Sequence, residues 1–206
     1  MLVHPWDAAV DPDEWREFVA AQGFGHLIAP GRDREVPVVV PTQFLLDGEE
    51  VLLHLARPNP VWRAIEENST VVLAVAGDWA YVPGSWKAIG DEDPAVGIPT
   101  TYYAAAQLRC VARVIDDIDG KVAILRRQLA ATEPASGIAD PSVHERRLSG
   151  IRGLRLAVTE VTAKFKYGGN VDRPHREAVA DRLAARNGAG DAAARRHLLR
   201  RLEAGH

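Results

Sequence analysis

A short run of polar and aromatic residues has the composition of a phosphate-binding corner. It reads His54-Leu-Ala-Arg57-Pro-Asn59-Pro60-Val-Trp62, with an arginine between a predicted strand and a predicted helix. A helix N-terminus offers free N–H groups and an arginine offers a bidentate fork, so a phosphate would fit there. The same pattern is consistent with a plainer interpretation, in which Asn59 caps the helix, Trp62 packs in the core and Arg57 is a solvated strand end.

Aromatic residues crowd a second segment, where a strand runs into a predicted loop. Trp79, Tyr81 and Trp86 could wall a planar cofactor. Ser85 and Lys87 could then contact the polar edge of that cofactor. Aromatic packing at the rim of a barrel explains the same pattern, and both interpretations stay open.

A third segment, Pro99-Thr100-Thr101-Tyr102-Tyr103, opens the longest strand-like run of the sequence. Adjacent residues of a strand point to opposite faces, so at most one of the two tyrosines faces a given pocket. We take Thr100 and Tyr102 as candidate cofactor contacts.

The remaining composition narrows the chemistry further. The seven histidines are scattered without metal-ligand spacing, which argues against a multi-histidine zinc site but leaves room for a single axial histidine ligand to haem. Cys110 is the only cysteine, so no disulfide or cysteine cluster is expected. No glycine-rich dinucleotide loop, Walker loop or nucleophile elbow is present.

Charge and hydrophobicity predict one compact domain. The cytoplasm is the compartment we expect for it. The 206 residues are 47% apolar and 26% charged, which excludes disorder and a disulfide scaffold. The net charge of -3 gives no general attraction to nucleic acid or to an anionic membrane. Neither a signal peptide nor a membrane span is expected.

Helix signals recur along the chain. Asp11, Pro12 and Glu14 supply a cap, a first-turn proline and an acid three residues after the cap, which predicts a helix over about 12–22. Other helices are predicted from Asn59-Pro60 to Asn68, after Asp119, from Pro141 to near Gly150, over 174–186 and over 191–203.

β-Branched and aliphatic runs predict the strands. These runs cover 26–29, 36–46, 51–56, 70–76, 79–82, 100–115 and 154–161, with Asp47-Gly48 as a hairpin turn. Short connections between such strands, with inserted and appended helices, predict an α+β fold built on an antiparallel barrel.

Four blocks in this order resemble the PaiB-like family, known as FMN-binding negative transcriptional regulators. The blocks are His54 to Trp62, Ala80 to Trp86, Ile98 to Thr100, and Ile151 to Lys166 with its Ala-Lys-Phe-Lys ending. The likeness runs from about residue 1 to 186. It departs from the family at 99–103, where members often show Pro-Thr-Trp-Asn-Tyr, and in the stretch before Asn170, where they often show Ser-Gln-Asn.

The resemblance implies an antiparallel split β-barrel of the pyridoxamine-oxidase type. Residues 1–170 would form this cofactor-binding domain, and 171–206 a C-terminal helical extension of it. It also implies a homodimer that binds FMN at the subunit interface, with room for a small-molecule ligand. The residues that would contact FMN are Arg57, Asn59, Trp62, Tyr81, Ser85, Trp86, Thr100 and Tyr102.

Two other functions compete with a flavin-dependent redox or regulatory role. The sequence is more distantly similar to the piperazate synthases, which use haem b to join two nitrogens of an N-hydroxylated diamino acid, and His54 would then be the axial ligand. Direct DNA binding would use the basic C-terminal segment. We do not expect it, because a solvated helix face explains Arg195, Arg196, Arg200 and Arg201 equally well.

Overall fold

The computed structural model describes residues 1–134 and 137–205. Its strands are β1 (Phe24–Ala29), β2 (Val38–Gln43), β3 (Leu45–Asp47), β4 (Glu50–Ala56), β5 (Thr70–Val82), β6 (Thr100–Ile115) and β7 (Ile151–Lys166). Its α-helices are α1 (Glu14–Gln22), α2 (Val61–Glu67), α3 (Ile118–Thr132), α4 (Glu145–Leu148), α5 (Arg173–Arg186) and α6 (Asp191–Glu203). The strands form one sheet in the order β2-β1-β5-β6-β7-β4-β3. The expected α+β class is confirmed.

The chain groups into two compact units, each assembled from separate stretches of sequence. Unit 1 comprises Met1–Phe18, Ala76–Ala106 and Thr162–His206, and unit 2 comprises Val19–Val75 and Gln107–Val161. The long strands β5, β6 and β7 therefore contribute residues to both. The domain division predicted at residue 170 stays a prediction. Between the helix predicted after Asp119 and the one predicted from Pro141, the sequence also predicts a loop over 132–140, and part of this loop lies outside the described residues.

Antiparallel pairing organises unit 2. β1 runs antiparallel to β2 and β5, and β4 runs antiparallel to β3 and β7, with His54 opposite Gly153. Leu52, Ile115 and Ile124 form a buried cluster where α3 packs on β4. A side chain at Gly153 would not fit, because its Cβ would lie 2.7 Å from Cδ1 of Ile124.

A buried ion pair and an aromatic stack lie in the core of unit 1. Arg201 of α6 donates to Glu14 of α1 at 2.9 Å, and both side chains are fully buried. His197 stacks on Tyr167 with ring centroids 4.7 Å apart, and its Nε2 lies 2.8 Å from Oδ2 of Asp78. Burial opposes the charge of Glu14, but hydrogen bonds from His197 and Arg201 lower the pKa of Glu14 to about 2.

The strand predictions are right in place and partly wrong in extent. β6 and α6 have the predicted bounds. The predicted strand 36–46 is two strands, β2 and β3, because the Phe44 N–H between them donates to the carbonyl of Gly23. The predicted strands 70–76 and 79–82 are one strand, β5, which continues through Asp78 although that residue has a φ of 50°.

β7 and α3 also begin at other residues than expected. β7 is longer than the predicted strand over 154–161, because residues 151–153 continue the pairing with the end of β4. α3 begins at Ile118, and its cap is Asp117, whose side chain accepts from the Gly120 N–H at 2.7 Å, rather than Asp119.

The arginines of α6 do not form the solvated face expected from the sequence. Arg201 is fully buried, and Arg200 donates to both Asp11 and Glu17. Arg196 pairs with Asp78. Arg200 and Arg201 are therefore neutralised by acids of the N-terminal segment, whereas Arg195 donates to the carbonyl of Ala180 and Arg196 is 67% exposed.

Candidate functional site

Arg57 lies just past the end of β4, in unit 2, and its guanidinium is held in place. Nη1 and Nη2 donate to the two carboxylate oxygens of Asp116 at 3.0 and 2.5 Å, and Nε donates to the carbonyl of Ser149 at 2.7 Å. The Arg57 guanidinium holds the pKa of Asp116 below its usual range. Three of the five N–H donors of Arg57 are thus used, and one on each terminal nitrogen remains.

Asp116 is surrounded by more than one cation. Besides contacting Arg57, its carboxylate oxygens lie 3.2 Å from Nε of Arg152 and 3.5 Å from the ammonium of the buried Lys121. Arg152 also reaches Glu66 at 3.4 Å. Three cations therefore meet two carboxylates, and this cluster, called here the Asp116 cluster, keeps one surplus positive charge.

Asn59 and Trp62 have local structural roles beside this cluster. The Asn59 side chain accepts from the Val61 N–H at 3.0 Å, which caps α2. Trp62 is buried, and its indole N–H donates to the carbonyl of Ala56 at 2.9 Å. The start of α2 therefore offers fewer free donors than the sequence suggests, and the cofactor roles of both residues stay predictions.

His54 lies on β4 with an exposed side chain. Its Nδ1 is 2.8 Å from Oε1 of Gln128, whose amide nitrogen lies 3.5 Å from the carbonyl of Leu52. Among the described residues, Gln128 alone is bonded to this ring. The contact orients the imidazole and leaves Nε2 open, which is the arrangement that an axial metal ligand requires.

Unit 1 contains a cavity of about 830 Å³. Thr100 and Tyr102, two of the candidate cofactor contacts, line it together with Lys87, Lys166 and Gly168. A volume of this size falls within the range of small-molecule sites. The cavity thus brings two of the predicted cofactor residues together with two lysines.

The other predicted residues of this unit do not line the cavity. Tyr81 is half exposed on β5. The Ser85 carbonyl accepts from Arg182, and the Trp86 ring lies 4.6 Å from the guanidinium carbon of Arg186. Ser85 and Trp86 therefore contact α5, and their part in cofactor binding stays a prediction.

The two lysines of the cavity have no carboxylate partner among the described residues. Lys166 donates to the Thr100 hydroxyl at 2.9 Å, and the Lys87 ammonium lies 5.6 Å from the centre of the Tyr102 ring. Burial and the charge of Lys166 lower the pKa of Lys87. Neither ammonium group is bonded to a carboxylate, although Glu92, Asp93 and Asp172 line the same cavity.

Tyr102 contributes a buried polar group to the same place. Its side chain is 1% exposed, and its hydroxyl has no hydrogen-bond partner in the described part of the chain. Burial raises the pKa of Tyr102 to about 12, so this hydroxyl is a donor at neutral pH. The hydroxyl lies against Gly168, which has a φ of 77°, and an added Cβ there would overlap it, so the close approach requires glycine.

Glu92 and Asp172, two acids that line the cavity, are bonded to a histidine. His175 of α5 lies 2.8 Å from carboxylate oxygens of both Glu92 and Asp172. The Asp172 hydrogen bond, and then that of Glu92, raise the pKa of His175. These two acids are thus bonded to a histidine within unit 1, whereas the lysines contact no carboxylate.

Sequence reasoning missed the roles of Lys166, Gly168 and His175. Lys166 was visible only as part of a family-like block. A signal was available in the Lys164-Phe-Lys166 alternation at the end of a strand, which places both ammonium groups on one face. No comparable signal marks Gly168, since its role depends on the distant Tyr102.

Comparison with known proteins defines the class to which this fold and these residues belong. Residues 1–160 match the family described as "Putative FMN-binding domain". The chain belongs to this family, and FMN is the cofactor that the family defines. The expected cofactor is thereby confirmed at the level of the family.

Individual relatives agree with this assignment. "Protease synthase and sporulation protein PAI 2" of Bacillus subtilis (strain 168) is 22% identical over 177 residues, which cover 82% of this chain and 83% of that protein. The flavocytochrome Anf3 from Azotobacter vinelandii superposes with a TM-score of 0.63 at 20% identity, over 79% of this chain and 71% of that one. The FAD and heme binding protein from Mycobacterium smegmatis gives 0.63 at 18% identity, over 84% and 78%.

These matches confirm the resemblance to the PaiB-like family and the antiparallel split-barrel type of fold. At such identities, the likeness to solved structures is evidence for the fold alone. Among the described residues, none of the helices has the length and apolar character needed to cross a bilayer.

Proposed function

We propose that this chain is a flavin-dependent redox protein that holds FMN. The observation that carries the proposal is the family match over residues 1–160. FMN, when bound, supplies the electron-transfer chemistry, and the protein supplies position and electrostatics. A regulatory role would follow from the redox state of the protein rather than from a DNA-binding surface.

The residues at Arg57 fit the phosphate end of FMN. Two outward N–H groups of Arg57 are unused by described residues, and the Asp116 cluster carries a surplus positive charge. Asp116 and the Ser149 carbonyl fix the guanidinium before any ligand arrives, which lowers the entropy cost of binding. In this proposal Arg57 binds the phosphate while keeping Asp116.

Thr100 and Tyr102 are our candidates for contacts with the flavin in unit 1. Both supply hydroxyl groups, which can donate to the acceptor atoms of a flavin ring. Tyr81, Ser85 and Trp86 remain candidates on the sequence pattern alone. We also propose the homodimer, with the cofactor at the subunit interface, and light scattering that finds a stable monomer at micromolar concentration would contradict it.

The absorption spectrum of the purified chain tests the flavin proposal. We expect bands near about 375 and 450 nm, either as purified or after titration with FMN. Riboflavin, which lacks the phosphate, should bind at least about ten-fold more weakly if a charge-assisted phosphate contact is made. A colourless protein that binds neither compound would refute the proposal.

A haem enzyme is the second candidate. The observation that favours it is the exposed His54 ring with its Nδ1 bonded to Gln128, while two structurally similar proteins are a flavocytochrome and a protein that binds FAD and haem. On this alternative His54 is the axial ligand of haem b and the chain could be a piperazate synthase. A red protein whose Soret band, near about 400 nm, is lost in His54→Ala would establish haem. Bound flavin that survives the same substitution would support the first proposal.

Direct DNA binding is not part of the proposal. The arginines of α6 that could contact phosphates are bonded inside unit 1, as Arg200 is to Asp11 and Glu17. An electrophoretic shift with a short DNA duplex at low salt should therefore show only weak, salt-sensitive binding. Tight binding that persists at physiological salt would revive the repressor hypothesis.

A further inference from the structure

We propose that Gln128 of α3 fixes the tautomer of His54 and thereby presents the Nε2 atom of that ring as an electron-pair donor to haem iron. Haem as the ligand rests on the second candidate function, whereas the tautomer depends on this chain alone. None of the four family-like blocks contains Gln128, so the resemblance gives it no role. Its role as a positioning residue follows from the packing and hydrogen bonds of unit 2.

The packing of α3 on β4 places Gln128 beside His54. Leu52 and His54 are two positions apart on a strand and share one face. Ile124 and Gln128 are four positions apart on a helix and share one side. Two residues of a strand span about 6.6 Å and four residues of a helix about 6 Å, so the two spacings match. Because Leu52 and Ile124 belong to one buried cluster, this apolar contact sets the position of the polar pair.

The orientation of the Gln128 amide decides which nitrogen of His54 carries the proton. The amide nitrogen lies 3.5 Å from the carbonyl oxygen of Leu52, and Oε1 lies 2.8 Å from Nδ1 of His54. A carbonyl oxygen only accepts hydrogen bonds, so the amide turns its N–H groups toward Leu52 and its oxygen toward His54. That oxygen also only accepts, so Nδ1 carries the hydrogen and donates it. The neutral ring then has its lone pair on Nε2.

The partner of Nδ1 also determines what kind of ligand His54 is. The His54 side chain is exposed, and Gln128 is the one residue in the described part of the chain that is bonded to its ring. A metal-bound histidine generally donates its second N–H to an acceptor, which orients the ring. An amide accepts this hydrogen bond without a charge, whereas a carboxylate in its place would make the ring a more basic ligand. Gln128 therefore keeps His54 a neutral imidazole donor.

NMR of the chain labelled at its histidines with nitrogen-15 tests the tautomer without any haem. At about pH 8, above the ordinary pKa of histidine, we expect a protonated Nδ1 and an unprotonated Nε2 for His54. The signals are those that His54→Ala removes. Gln128→Leu should allow both tautomers. Thr132→Val is the matched control on α3, since it removes only a hydroxyl that donates to the backbone carbonyl of Gln128.

Titration with haemin measures the consequence for a ligand. Gln128→Leu should weaken haemin binding about ten-fold to a hundred-fold, the loss typical when the hydrogen-bond partner of a metal-bound histidine is removed. Gln128→Glu keeps an acceptor, so it should restore the affinity. It should also lower the reduction potential of the bound iron, because a carboxylate makes His54 a more basic ligand. Thr132→Val should change neither the affinity nor the potential.

The two measurements separate this proposal from the haem candidate. A ring protonated at Nε2 in the unsubstituted chain would overturn the role of Gln128, and so would a Gln128→Leu variant with unchanged tautomer. Bound haemin whose affinity and potential ignore both substitutions would show that Gln128 does not act through His54. A chain that binds no haemin would refute haem as the ligand, while the nitrogen signals still decide the tautomer. Circular dichroism checks the fold of each variant, and the NMR of the unsubstituted chain needs no variant to fold.

Discussion

Two groups of cations in this chain have opposite surroundings. In unit 2, Arg57 is bonded to Asp116 and to a backbone carbonyl, so its charge is matched before any ligand binds. In unit 1, Lys87 and Lys166 share a cavity with no bonded carboxylate among the described residues. A matched cation contributes to the fold, whereas an unmatched one costs stability until a ligand neutralises it. Pairing with a carboxylate therefore fixes Arg57 in one position, whereas Lys166 and Lys87 are held only by a hydroxyl and an aromatic ring.

The largest expected effect comes from adding a Cβ at Gly168, against the Tyr102 hydroxyl in the cavity region of unit 1. Gly168→Ala should lower the free energy of unfolding by about 2–4 kcal/mol, because it adds left-handed backbone strain and overlap with the Tyr102 hydroxyl. Gly48→Ala is the control, since Gly48 also has a positive φ but an added Cβ would meet no atom within 4 Å. Urea denaturation compares them, and equal losses would show that the space beside Tyr102 is not needed.

The second prediction concerns the matched cation. Arg57→Ala should weaken FMN about ten-fold to a hundred-fold by removing a charge-assisted phosphate contact, while stability changes little because the pair is partly exposed. Arg126→Ala removes a similar bidentate partner of Asp140 and serves as the control. Fluorescence titration with FMN measures both. Normal FMN binding together with a large loss of stability in Arg57→Ala would make Arg57 purely structural.

The smallest effect tests the unmatched lysine without any ligand. Lys87→Met should raise the unfolding free energy of the unliganded chain at neutral pH by roughly 0.5 kcal/mol, since it removes a like-charge repulsion. The pKa of folded Lys87 is lowered by burial and by Lys166, so the protonated lysine disfavours the fold, and this cost shrinks as the pH rises through the folded pKa toward 10.5. The advantage of the variant should therefore narrow between pH 7 and about 10.5. A variant that is less stable at neutral pH would contradict the contrast.

Much of the fold was readable from sequence because its signals are local. The β-branched and aliphatic run of β6 and the helical segments of α5 and α6 depend on neighbouring residues, and their bounds were predicted closely. The continuity of β5 was not predicted, because Gly77-Asp78 has the composition of a turn. The Asp78 contact with His197, far away in sequence, accompanies the unusual φ in the sheet.

The site was predicted only in part for the same reason. Thr100 and Tyr102 were chosen as candidates because they open a conspicuous strand, and both line the cavity of unit 1. The pairing of Arg57 with Asp116 was not predicted, and neither was the position of Lys166 beside Thr100. The partners are 59 and 66 positions apart in the sequence. The sequence shows which residues carry charge, but not which of these charges are paired in the folded chain.

The buried pair of Glu14 and Arg201 bears on how the chain is made. The partners are 187 positions apart, and a ribosome adds roughly 5–20 residues per second, so Glu14 waits on the order of 10–40 seconds for its arginine to be synthesised. During that interval α1 has an acid with no guanidinium to meet it and an apolar Phe18 with no Phe165 to pack against. Unit 1 can consequently be completed only after α6 has been synthesised, because the partners of α1 come from β7 and α6.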